Sequence, residues 1–115
     1  MRYEGKKISV VGAGLAGSEA AFQLASRGFF VELHEMRPLR STEAHVTSQC
    51  AELVCSNSFG SDAAGTASKL LKDELDFVGA FVLSVARKYS VPAGASRVTL
   101  PGIFAPSNGF LFQIR

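Results

Sequence analysis

The sequence predicts an α/β fold, the opening portion of a Rossmann-like unit made of a βαβ motif, a long loop and a long helix. Three observations carry that expectation. An apolar run, Ile8-Ser9-Val10-Val11, leads straight into Gly12-Ala13-Gly14-Leu15-Ala16-Gly17. A helical pattern follows from Leu15 to Arg27, with small or apolar residues four apart, and Gly28 stops it. A second β-rich run, Phe29 to His34, then ends in Glu35. Strand, glycine turn, helix and strand within about thirty residues match the size of a βαβ unit.

Each element has its own justification. Lys6-Lys7 lie outside the first strand and Ile8, Val10 and Val11 form its buried part. In the helix, Ala16, Ala20 and Leu24 recur at a spacing of four, as do Ala21 and Ala25. Residues 36–61, with Pro38 and many Ser and Thr, read as a long ordered loop holding one short helical turn. Asp62 or Thr66 then caps a long helix reaching Lys88. Leu71, Leu75, Val78, Val82 and Val85 recur at spacings of 4, 3, 4 and 3, one continuous stripe expected to face the core. From Val91 onward the chain holds three of its four prolines and no acidic residue. The domain reading is therefore 1–94 as the Rossmann-like portion and 95–115 as a divergent tail.

Composition bounds the function. At 115 residues the chain has the length of one small domain. With 47% hydrophobic residues it is no disordered segment, and a formal charge of +2 carries no strong nucleic-acid or membrane signature. The apolar runs are too short for a signal peptide or a membrane helix. Cys50 and Cys55 make no disulfide framework, so a reducing, cytoplasmic setting is expected.

The glycine run carries the chemistry. Gly12 suits the tight turn, Gly14 lets the backbone approach a pyrophosphate, and Gly17 permits close packing of helix on strand. The helix start offers free N–H groups and positive dipole to phosphates. Glu35, 18 residues after Gly17, is placed to accept hydrogen bonds from an adenosine ribose. The fingerprint alone does not separate FAD from NAD; Glu19 in the first helical turn leans towards flavin. Cys55, in Glu52-Leu53-Val54-Cys55-Ser56-Asn57-Ser58, reads either as an activated thiol or as a small buried hydrophobe. His45, Cys50 and Cys55 are five apart with no fourth ligand, so no metal site is expected.

Three strings together resemble one family: Val11-Gly12-Ala13-Gly14-Leu15-Ala16-Gly17-Ser18-Glu19-Ala20-Ala21, then Glu35-Met36-Arg37-Pro38, then Ala51-Glu52-Leu53-Val54-Cys55-Ser56-Asn57-Ser58. The family is the folate- and FAD-dependent tRNA uracil-54 C5-methyltransferases, of the glucose-inhibited division protein A-like superfamily. Leu70-Leu71-Lys72-Asp73-Glu74-Leu75 and Ser90-Val91-Pro92-Ala93-Gly94 look like its next two landmarks, so the match runs from about residue 7 to 94.

The resemblance implies an incomplete FAD-binding Rossmann-like domain from a flavoenzyme. That enzyme takes a methylene group from methylenetetrahydrofolate, uses NAD(P)H as reductant, and methylates C5 of uracil in the tRNA T-loop. It implies that Gly12, Ala13, Gly14, Leu15, Ala16 and Gly17 hold the FAD pyrophosphate, Glu35 the ribose, and that Cys55 is one of two active-site cysteines. Phe59-Gly60 departs from the family pattern, and residues 95–115 match none of it. Cys50 is too near to serve as the second cysteine, and family members run to several hundred residues. The expectation is an N-terminal piece, inactive alone. The rival readings are a non-catalytic nucleotide-binding remnant and another FAD-dependent oxidoreductase.

Overall fold

The structure is a computed structural model that describes residues 6–54, 58–93, 96–99 and 112–114. In chain order the elements are β1 (Lys7–Val11), α1 (Leu15–Ser26), β2 (Phe30–His34), β3 (Ser58–Ser61), α2 (Ala67–Phe77), α3 (Phe81–Lys88), β4 (Ser90–Ala93), β5 (Ser96–Thr99) and β6 (Phe112–Ile114). They fall into two compact units, β1, α1, β2 and β6 in the first and β3, α2, α3, β4 and β5 in the second.

The first unit holds a parallel sheet of order β1-β2-β6 with α1 packed on one face. Lys7 pairs with Phe30 and Val11 with His34, the right register for strands joined through a crossover helix. β6 pairs parallel along the other edge of β2, Val31 opposite Phe112 and Leu33 opposite Ile114. The tail thus supplies a strand to the edge that the βαβ unit alone leaves open.

The core is small. Ala13, Ala21, Val31 and Leu33 are fully buried, with Val10, Leu24, Ala25, Phe29 and Cys50 packed against them. Burial of Val31 and Leu33 contributes about 2 kcal/mol each. Val11, expected inside, is 86% exposed, because the β1 pleat turns Ile8 and Val10 inward and Val11 outward. On α1 it is Ala21, Leu24 and Ala25 that meet the sheet, while Ala16 and Ala20 face solvent. The helix ends as expected: Gly28 adopts φ +86°, and Phe29 N–H donates to the Leu24 carbonyl at 3.2 Å.

The second unit is an antiparallel sheet of order β3-β5-β4 with α2 and α3. Its β3, β4 and β5 were not foreseen, and residues 96–99 of the tail form the central strand. Pro92 lies on β4, an edge strand, the place in a sheet where proline is tolerated. The single long helix expected to reach Lys88 is two helices. Gly79 takes φ +75°, and Ala80 N–H donates to the Leu75 carbonyl, so the chain turns and restarts at Phe81.

That break also undoes the expected core stripe. Val82 is buried with Leu83 and Ala86, but Leu71 and Val78 are more than half exposed. The buried residue of α2 is instead Lys72, whose ammonium reaches the Gly60 and Ser61 carbonyls and the Asp62 carboxylate. Thr66 caps α2, its Oγ1 accepting from Lys69 N–H at 3.2 Å. Among the described residues no helix is long and apolar enough to cross a membrane.

Candidate nucleotide-binding site

The glycine turn is shaped by three different demands. Gly12 has φ +93°, a left-handed backbone that favours glycine, and its N–H donates to the His34 carbonyl at 2.8 Å. A Cβ on Gly17 would lie 1.7 Å from the Gly12 carbonyl oxygen, so helix and turn touch through glycine alone. Gly14 is different. Its φ of −71° suits any residue, and a Cβ there would meet nothing within 4 Å. Neither backbone nor packing requires glycine at this position.

Gly14 is also the N-cap of α1 and has no side chain to cap with. The first-turn N–H groups of a helix have no intrahelical acceptor. At α1 no side chain of the N-cap residue covers them, and a Cβ on Gly14 would meet nothing within 4 Å. A bare helix start next to a gap that a side chain would fill is the arrangement that accepts a phosphate.

Ala13, between the first two glycines, is fully buried and held at both ends of its peptide. Its N–H donates to Glu35 Oε2 at 2.8 Å, and its carbonyl accepts from Ala51 N–H at 2.7 Å. Glu35 Oε1 accepts from Arg37 N–H at 3.0 Å and from Arg37 Nε at 2.8 Å. Arg37 Nη1 in turn donates to Glu52 Oε2 at 3.0 Å and to the Thr47 carbonyl at 3.1 Å. Glu52 Oε1 accepts from Val46 and Thr47 N–H. Since Glu52 follows Ala51 in sequence, the contacts close a ring: Ala13, Glu35, Arg37, Glu52, Ala51 and back to Ala13.

The ring sets the charges. The Arg37 guanidinium beside Glu35 brings that carboxyl down to about 2, against the opposing effect of burial and with help from the Arg37 and Ala13 N–H groups. Arg37 is held still more firmly protonated, first by its hydrogen bond to Glu35. Glu52 is lowered although burial opposes it, because the Val46 and Thr47 N–H groups favour its charged form. Burial pushes the Cys50 thiol up, so it is a packing residue rather than a ready nucleophile.

The structure thus brings Gly12 to Gly17 and Glu35 together. Cys55 lies outside the described residues. Arg37 and Glu52 join the site without a sequence expectation behind them, although both stand in the strings that resemble the family. Their signal was two acids and an arginine at Glu35, Arg37 and Glu52, but no local spacing joins positions 15 apart. Among the described residues no group of three or more His, Cys, Asp or Glu could hold a metal ion.

The glucose inhibited division protein A family model matches residues 7–97, most of the chain. The chain belongs to that family. Its curated relatives include the methylenetetrahydrofolate--tRNA-(uracil-5-)-methyltransferase TrmFO of Persephonella marina, 56% identical over 90 residues, which are 78% of this chain and 21% of that protein. The TrmFO of Pseudothermotoga lettingae is 60% identical over 88 residues, 76% of this chain and 20% of the relative. That of Koribacter versatilis is 54% identical over 99 residues, 86% of this chain and 22% of the relative. The chain spans about a fifth of the length of the curated relatives it matches. The resemblance to tRNA uracil methyltransferases and the partial Rossmann-like fold are both upheld; the family's opening βαβ unit is the part that carries the glycine turn.

Proposed function

We propose that this chain forms the dinucleotide-binding start of a folate-dependent tRNA (uracil-5-)-methyltransferase, and that its own ligand is FAD. The observation that carries this reading is Gly14, a glycine that the protein itself does not need, beside the uncapped start of α1. The residues fit the group. Gly12 to Gly17 would hold the pyrophosphate, with the Leu15 and Ala16 amides and the helix dipole facing its charge. Glu35, ionised at any physiological pH, would accept from the adenosine ribose. Support for the enzyme class comes from the TrmFO relatives, which are tRNA (uracil-5-)-methyltransferases.

When bound, FAD would supply the redox chemistry for a one-carbon transfer, with NAD(P)H as the reductant and methylenetetrahydrofolate as the carbon source. The chain's own residues bind and orient. Cys55 is proposed as one of a pair of active-site cysteines: a thiolate added to C6 of uracil makes C5 nucleophilic. The tRNA base must leave its stack to be reached. A cytoplasmic setting accords with this chemistry.

The test is a titration of FAD into the chain and into Gly14→Val. The expected result is saturable binding to the chain and at least tenfold weaker binding to the variant, with the same thermal midpoint. Equal binding by both proteins would remove the reading's main support.

A further inference from the structure

We infer that Arg37 is a positioning residue for adenosine recognition: held between Glu35 and Glu52, its guanidinium fixes the Glu35 carboxylate so that one oxygen, Oε2, stays at the glycine turn with one acceptor position left for a ribose hydroxyl. The inference rests on the proposed FAD reading and adds a residue to it.

Arg37 does not present itself to a ligand. Its side chain is 2% exposed, and its Nε and Nη1 are engaged by Glu35, Glu52 and the Thr47 carbonyl. Any influence on a bound nucleotide must pass through a neighbour, and Glu35 is the neighbour at the turn. A carboxylate offers about four acceptor positions. On Oε1 two are filled, by Arg37 N–H and Nε. On Oε2 one is filled, by Ala13 N–H, which ties that oxygen to the glycine run itself. The remaining position lies on Oε2. A fork-shaped guanidinium sets such an orientation better than a single ammonium does.

The second carboxylate explains why the clamp holds. Glu52 secures the far side of Arg37 while accepting Val46 and Thr47 N–H, and Ala51 fastens the same segment to the Ala13 carbonyl. Loop 36–52 is thus tied to the turn at two points. The groups that face Glu35 are Arg37, the Ala13 N–H and, through space, Cys50; Glu52 lies beyond the guanidinium.

The experiment compares binding of FAD and of an FAD analogue built on 2′,3′-dideoxyadenosine from pH 4.5 to 8, for the chain, Arg37→Gln and Arg37→Lys. The chain is expected to prefer FAD about tenfold, as for one hydrogen bond to a charged group, with a flat pH profile. Arg37→Gln should lose most of that preference. Its FAD binding should also weaken towards the acid end of that range, since a buried carboxyl without its cation takes up a proton more readily. Arg37→Lys keeps a charge but not the fork, so it should lose preference while keeping the flat profile. If Arg37→Gln does not fold, the lysine variant decides alone: unchanged preference there overturns the inference. Variants that match the chain in both preference and profile overturn it while leaving the FAD reading intact. Failure of the chain itself to bind FAD overturns both.

Discussion

Gly17 stands so close to Gly12 that a single methyl on it would sit 1.7 Å from the Gly12 carbonyl oxygen and 2.9 Å from its carbon. Both atoms are backbone, so no side chain can rotate away. Gly17→Ala should force α1 off the β1 turn and cost about 3 kcal/mol, the upper range for overpacking. Urea unfolding followed by far-UV circular dichroism checks this. Gly14→Ala, with open space at its Cβ, is the matched control and should lie within about 0.5 kcal/mol of the parent.

The Glu35 ion pair makes the first unit acid-sensitive in a defined window. The carboxyl lies at about 2 when folded, against an ordinary value of 4.5. Between those values the unfolded chain binds more protons than the folded one. The stabilisation is therefore complete above about pH 4.5 and is lost as pH falls towards 2, by an amount on the order of 3 kcal/mol. Urea midpoints at pH 7, 4 and 3 should fall more steeply for the parent than for Glu35→Gln, which has no proton to take up.

Among the described residues of the second unit, Lys72 is the buried charge. Its side chain is 7% exposed and is surrounded by the Asp62 carboxylate and two carbonyls from β3. Lys72→Ala leaves those oxygens without their cation and should destabilise by about 3 kcal/mol, in the range for breaking a buried pair. The double variant Lys72→Met with Asp62→Asn should recover part of the loss, because it removes the charge that Lys72 had faced. A thermal melt of the three proteins separates these outcomes.

Gly79 marks the break between α2 and α3. Its φ of +75° is a conformation in which a Cβ costs roughly 1–2 kcal/mol, while a Cβ there would meet no neighbouring atom. Gly79→Ala should lower stability by that amount and Gly79→Asn by less, since Asn tolerates the left-handed region. Denaturant titration distinguishes the two.

The parts of the fold that were legible are those written in local spacing. Gly12, Gly14 and Gly17 sit within six residues, and Gly28 closes α1 where the periodic pattern stops. Glu35 was placed correctly at the end of the second strand for the same reason. The helix break was not legible, because the 4-3-4-3 stripe runs straight through Val78 and Val82; only the left-handed Gly79 reveals the turn. Arg37 with Glu52 was hidden for another reason. A buried guanidinium is explained by carboxylates brought together in space, and the chain takes 15 residues to return to it. The strands β3, β4 and β5 carry Ser, Gly and Pro in place of a clear apolar alternation, so their pairing supplies an order that composition does not announce.

In the proposed function the start of α1 receives the pyrophosphate of FAD. The most direct measurement is a map of backbone amide shifts, by 15N-labelled NMR, as FAD is added to the chain. The account predicts the largest changes at Gly14, Leu15 and Ala16, smaller ones at Ala13, and none at Ser68 and Lys69 in the first turn of α2. Equal shifts at both helix starts, or none at Leu15 and Ala16, would contradict it.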